Sequence, residues 1–164
     1  MSNTVTSQPN LLFQGLSPDD TAAIIATLPR CNLKAGDILF HEGDRGAAMY
    51  LVMSGIIEIY TIRAGETVSI RTFMPGSYFG ELTLIGQETR SASARAIEET
   101  VLIEINGEAL SKITREYPVV VSNIGRVLAQ QLVTTTRTLV HVEHGELVML
   151  VVPRLRQRQA AVEY

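Results

Sequence analysis

The chain has 164 residues, 46% of them hydrophobic, and a net charge of −3, which allows one domain with a sizeable core and is short for two. That acidic balance excludes a protein coated in basic surface for gripping nucleic acid or an anionic membrane. Cys31 is the lone cysteine, so no intrachain disulfide forms; with no leader-like start and no run near the ~20 apolar residues of a membrane span, a cytoplasmic location is expected.

Residues 1–10 (MSNTVTSQPN) are polar and are expected to be disordered. Leu11, Leu12 and Phe13 form a short apolar anchor. Ser17-Pro18-Asp19-Asp20 reads as a helix start, with Ser17 as cap, Pro18 in the first helical position and acids at the positive end of the dipole. Ile24, Ile25 and Leu28 supply its buried stripe, and Pro29 stops it.

From Cys31 to Asn106 short apolar runs alternate with glycines. Strands are predicted near 31–33, 37–41, 48–53, 56–62, 67–73, 92–96 and 101–106. A period of two places Met49, Leu51 and Met53 on one face, and likewise Val68 with Ile70, and Val101 with Ile103 and Ile105. Arg63-Ala64-Gly65-Glu66 reads as a hairpin turn. Many short strands with such turns predict a two-sheet roll or barrel.

After Asn106 the period becomes helical. Gly107 to Arg115 reads as a short helix, and Pro118 opens a longer one to about Val140. Along it Val121, Ile124, Leu128, Leu132, Thr135 and Leu139 recur at three- and four-residue steps. Gly145 ends any helix still running, Leu147–Val152 is strand-like, and Arg154, Arg156 and Arg158 make a basic tip.

The segment GELTLIGQETRSASA, residues 80–94, fits neither period. Gly80 permits positive φ or a close backbone approach. Glu81 to Leu84 is compatible with one helical turn whose free N–H groups suit an anion. Arg90 offers a planar fork for phosphate oxygens. Glu81 would repel a phosphate, so it is expected to face a hydroxyl on the same ligand. Phosphate and hydroxyl a few ångströms apart describe the sugar–phosphate of a nucleotide, and one arginine suits a singly charged phosphodiester better than a triphosphate. The plain alternative is a surface ion pair between Glu81 and Arg90 beside a β-turn.

Phe79-Gly80-Glu81-Leu82 followed by Arg90-Ser91-Ala92 resembles the phosphate-binding cassette of the cyclic nucleotide-binding domain family, of the catabolite activator protein-like type. Ala35-Gly36-Asp37, then Phe40-His41-Glu42-Gly43-Asp44 with Gly46, Tyr50-Leu51-Val52 and Ser54-Gly55 resemble its earlier strand and turn signature. Leu16-Ser17-Pro18 resembles the start of its first helix.

The resemblance implies a mostly β fold with flanking α elements: an antiparallel β-roll (double-stranded jelly roll) with an N-terminal helix and a C-terminal helical lid. Residues 11–140 would form the domain and 141–164 a tail of unknown role. It also implies a ligand, cAMP or cGMP, with no cofactor and no metal. Glu81 would accept from the ribose 2′-OH and Arg90 would pair with the exocyclic phosphate oxygens. Backbone amides around Gly80, Leu82, Ser91 and Ala92 would complete the cradle. Ser91 leaves cAMP favoured and cGMP open. Thr134 and Thr135, with Thr136, are candidates to touch the base. Ser77 departs from the family, which often has Asp there.

The expected function is a regulatory sensor, not an enzyme, that signals by movement of its C-terminal helices to an unknown effector protein or downstream domain. Direct nucleic acid binding is not expected, since no recognition helix is visible in 141–164. A homodimer through the 118–140 helix is compatible with its apolar stripe. Two rivals stand beside this reading. One is a degenerate roll used for protein contact without nucleotide. The other is a metal-dependent cupin-type enzyme, which needs about three His and a carboxylate converging in the barrel; only His41 lies in the strand region, while His141 and His144 follow the long helix.

Overall fold

The structure, a computed structural model, describes residues 11–84, 86 and 89–140, with side chains as far as 130. The predicted N-terminal disorder over 1–10 and the readings of 141–164, including His141, His144, the strand-like run and the arginines, fall outside the described residues. A contact boundary divides the chain into units 1–128 and 129–164.

A 3-10 turn, Leu11–Phe13, leads to helix α1, Pro18–Thr27. Ser17 caps α1 as expected, its hydroxyl accepting from the Asp20 amide at 3.1 Å. Eight strands follow among the described residues: β1 Arg30–Leu33, β2 Ile38–Phe40, β3 Ala48–Ser54, β4 Ile57–Arg63, β5 Glu66–Phe73, β6 Tyr78–Phe79, β7 Ser93–Ala96 and β8 Thr100–Asn106. Helix α2, Gly107–Glu116, is capped by Asn106, whose Oδ1 accepts from the Ala109 amide at 2.8 Å. Helix α3 runs Val119–Val140 and crosses the boundary between the units.

The strands form two four-stranded antiparallel sheets, in the orders β1-β8-β3-β6 and β2-β7-β4-β5. Alternation along β3 explains how they stack. Ala48, Tyr50 and Val52 point between the sheets, into a cluster with Ile57, Phe73, Phe79 and Leu102. Met49 and Leu51 point the other way, into a cluster with Leu12, Ile24, Ile103, Ile113 and Val120. Thus β3 is buried on both faces, which is why its sequence is an unbroken apolar run.

One facing expectation needs correction. Met53 does not join Met49 and Leu51 in the core; the β3–β8 register shifts between Val52 and Ser54, and Met53 is 39% exposed. Val68 and Ile70 are both exposed on edge strand β5, where the β4–β5 register shifts at Ile70, between Ser69 and Arg71. The hairpin turn stands where predicted: Arg63 pairs with Glu66, and Ala64 and Gly65 take φ of 53° and 85°, the mirror-image turn that matches strand twist.

Asn123 joins α3 to the N-terminal turn. Buried at 1% exposure, it donates through Nδ2 to the carbonyls of Leu12 at 3.0 Å and Gln14 at 2.7 Å.

Candidate functional site

Strand β6 ends at Phe79, and Gly80 follows with φ of 80°. The next four residues, Glu81–Leu84, form one 3-10 turn, as the sequence allowed. Thr83 closes it: its hydroxyl donates to the Gly80 carbonyl at 2.8 Å. Glu81 is buried within this turn, while Leu82 is exposed.

Arg90 reaches the same place from the opposite direction. Its backbone is held against the loop after β2, with the Gly43 amide donating to the Arg90 carbonyl and the Arg90 amide to the Asp44 carbonyl, each at 2.8 Å. Arg90 as a whole is only 5% exposed. Nη2 donates to the Ala48 carbonyl at 2.9 Å, and Nη1 to the Gly80 carbonyl at 3.3 Å and the Thr83 hydroxyl at 3.4 Å. The ring of Phe40 lies 4.2 Å below the guanidinium, and that of Tyr50 at 5.6 Å. Nε is buried with no hydrogen-bond partner.

Burial pulls the Arg90 pKa down from its usual value, and the neighbouring groups Tyr50, Glu104 and Glu81 oppose that shift. Tyr50 is stacked on Phe79 at 5.4 Å and sits opposite Glu104 in the ladder. Burial first, then Glu104, pushes its phenol upward.

Of the residues singled out from sequence, Gly80, Glu81 and Arg90 therefore come together. The surface ion pair is ruled out in its own terms, because both side chains are buried. Ser91 is exposed and Ala92 buried beside Arg90. Thr134, Thr135 and Thr136 lie on α3, but their side chains fall outside the described residues.

Sequence reasoning missed Phe40, Tyr50, Glu104, Thr83 and the Ala48 carbonyl as neighbours of Arg90. Phe40 and Tyr50 stood inside motifs already noted. Tertiary pairing shows that those motifs meet the 80–94 segment: Tyr50 lies against Phe79 and Phe40 against Ala94. Among the described residues no group of three or more His, Cys, Asp or Glu could hold a metal ion, and no helix is long and apolar enough to cross a membrane.

The family model for the cyclic nucleotide-binding domain matches residues 30–117, which span both sheets, the Glu81 turn and Arg90. The chain belongs to the cyclic nucleotide-binding domain family. Among curated relatives it is 34% identical over 122 residues to the Cyclic AMP receptor protein of Thermus thermophilus, covering 74% of this chain and 56% of that protein. It is 33% identical over 106 residues to the cAMP-dependent protein kinase regulatory subunit of Dictyostelium discoideum, covering 63% of this chain and 32% of that one.

Among solved structures, the Thermus thermophilus Catabolite Activator Protein aligns with a TM-score of 0.72 at 33% identity, over 79% of this chain and 61% of that one. The N-terminal domain of a Streptomyces coelicolor transcriptional regulator aligns at 0.65 with 26% identity, over 87% and 99%. The chain thus spans little more than half of the Thermus receptor protein. The antiparallel β-roll with flanking helices is the fold, and the chain is a cyclic nucleotide-binding regulatory domain of the catabolite activator protein-like type. Nothing among the described residues or in these likenesses shows that it is catalytic.

Proposed function

We propose that the chain senses a cyclic purine nucleotide, with cAMP favoured over cGMP, and passes the signal to an effector protein or a further domain. The observation that carries this is the Arg90 guanidinium. It is buried at a desolvation cost, held by carbonyls and a hydroxyl, and left with an unpartnered Nε. Such a cation, beside a buried carboxylate and a glycine-opened turn, suits an anion attached to a hydroxyl-bearing sugar. Arg90 would pair with the exocyclic phosphate oxygens and Glu81 would accept from the ribose 2′-OH. Amides around Gly80, Leu82, Ser91 and Ala92 would line the cradle, and Thr134 and Thr135 would approach the base. The names of the relatives support cAMP.

A route to the helices follows from the same contacts. The Ala48 carbonyl that accepts from Arg90 belongs to the residue paired with Asn106, the cap of α2. A phosphate competing for the guanidinium would release that carbonyl and bias the seating of α2. The ligand shifts the equilibrium only by its differential affinity for the two arrangements.

Calorimetry of the full chain with cAMP and cGMP tests the binding, and hydrogen exchange over 107–140 tests the signalling. Wild type should bind. Arg90→Ala should lose at least tenfold, since one charge-assisted hydrogen bond is worth roughly 1.5–3 kcal/mol. Exchange over 107–140 should change on adding nucleotide. Equal binding by the two proteins would defeat the role of Arg90, absence of binding by wild type would favour a roll kept for protein contact, and unchanged exchange would defeat the signalling route.

A further inference from the structure

Gly46 lies in the loop between β2 and β3, next to Arg45, which bridges to Thr89. It is not among the glycines with positive φ, so the backbone there does not need glycine. The space does. A Cβ built on Gly46 would collide with Arg90 Nε, and would lie 2.6 Å from its Cζ and 2.9 Å from Nη2. Real Cβ atoms do not approach so closely, and something must move.

What would move is determined by the surroundings. The three atoms nearest that position at Gly46 belong to the end of one side chain, that of Arg90. The cost of a side chain at 46 therefore falls on the position of the guanidinium and not on the fold. Gly80 differs: its φ is positive, and an added Cβ would meet the Ala48 carbonyl at 3.2 Å as well as Arg90 Nη1 at 2.6 Å. The guanidinium is thus bounded by bare backbone at Gly46 and Gly80, with Phe40 against its plane.

We infer that Gly46 is a positioning residue for ligand binding: its missing side chain lets the guanidinium of Arg90 settle at the depth where it meets the Ala48 and Gly80 carbonyls and faces an anion. The partnerless Nε is the guanidinium atom nearest to where that side chain would stand. The inference rests on the cyclic-nucleotide reading for its consequence in binding, but the clamp itself stands without ligand.

The test is a double-mutant cycle on the full chain with two readouts. The first is the Arg90 Nε–H signal by NMR, assigned by its loss in Arg90→Ala; in Gly46→Ala it should shift and exchange with water faster. The second is calorimetry with cAMP and cGMP. Gly46→Ala should bind roughly tenfold more weakly, the worth of one weakened charge-assisted contact, while adding Gly46→Ala to Arg90→Ala should change affinity less than about twofold.

An Nε–H signal identical in wild type and Gly46→Ala overturns the clamp. A moved signal with unaltered affinity overturns the role in binding. An equal loss in both backgrounds assigns Gly46 a purely structural part and overturns it as well. Wild type that binds neither nucleotide defeats the functional reading and the role in binding together, while the NMR readout still decides the clamp.

Discussion

Asn123→Ala isolates one polar tie between the start of α3 and the N-terminal turn. The Asn123 side chain is buried at 1% exposure, and its amide donates to the Leu12 and Gln14 carbonyls. Truncation leaves both without that donor. Leu12 is fully buried, so its carbonyl cannot regain water, and an unsatisfied buried group costs about 1–3 kcal/mol. Gln14 is exposed, so its carbonyl is rehydrated and loses only the net worth of a hydrogen bond, about 1 kcal/mol. Alanine returns about 0.5 kcal/mol through better helix propensity.

The expected net loss is about 1.5–3.5 kcal/mol, or roughly 3–14 °C in melting temperature for a domain of this size. Urea unfolding of the full chain followed by circular dichroism measures it, with an unchanged slope showing that the transition is the same one. Arg126→Ala is the control, because Arg126 touches the Gln14 side chain at 3.4 Å at an exposed position and should cost less than about 0.5 kcal/mol. A loss for Asn123→Ala no larger than this control would refute the reasoning and leave α3 seated by apolar contacts such as Val120 and Val127 alone.

Ala64 holds φ of 53° in the β4–β5 turn, a region costing about 1 kcal/mol for an L-residue; Ala64→Asn, giving the Asn-Gly pair such turns favour, should raise the urea midpoint by about 0.5 kcal/mol or more of stability, and a lower midpoint would contradict the turn assignment. The Glu58 carboxyl is held below its usual pKa by a bond from the Ser69 hydroxyl and then by Arg95, whose Nε donates at 2.7 Å, with burial opposing. A depressed carboxylate stabilises fully above its unfolded pKa of about 4.3 and loses that stability as pH falls through the lower folded value. The stability gap between wild type and Glu58→Gln should therefore close from pH 7 to pH 3, and a gap independent of pH would contradict the assignment.

The fold was legible in the sequence where the local signal is strong. Ser17 and its acids mark α1, Ala64-Gly65 marks the hairpin, and the change of period at Asn106 marks the start of α2. Strand β6 was not legible: Tyr78–Phe79 spans two residues, too short for any period to show, and pairing with β3 defines it. Facing on β3 was misread at Met53, because a register shift breaks alternation and leaves no local mark. In the site, the sequence set Gly80, Glu81 and Arg90 in one short segment, and the fold brings them together. Their depth did not show, since burial of Arg90 depends on Phe40 and Tyr50, which arrive from distant strands.

That depth bears on why residue 90 is an arginine. A buried charge with imperfect partners is a weak source of stability, and apolar residues of similar volume often do as well or better. Around Arg90 an apolar replacement would have Phe40, Tyr50 and Phe79 to pack on. Its bonds to Ala48 and Gly80 join a guanidinium to carbonyl groups, and Nε gains nothing. Glu104 and Glu81 offset part of the desolvation, but burial remains the largest influence on its pKa. Folding alone thus gives little reason to keep a cation there. An anionic ligand would give one, because the desolvation is already met in the folded chain and a phosphate would out-compete the groups that hold the guanidinium.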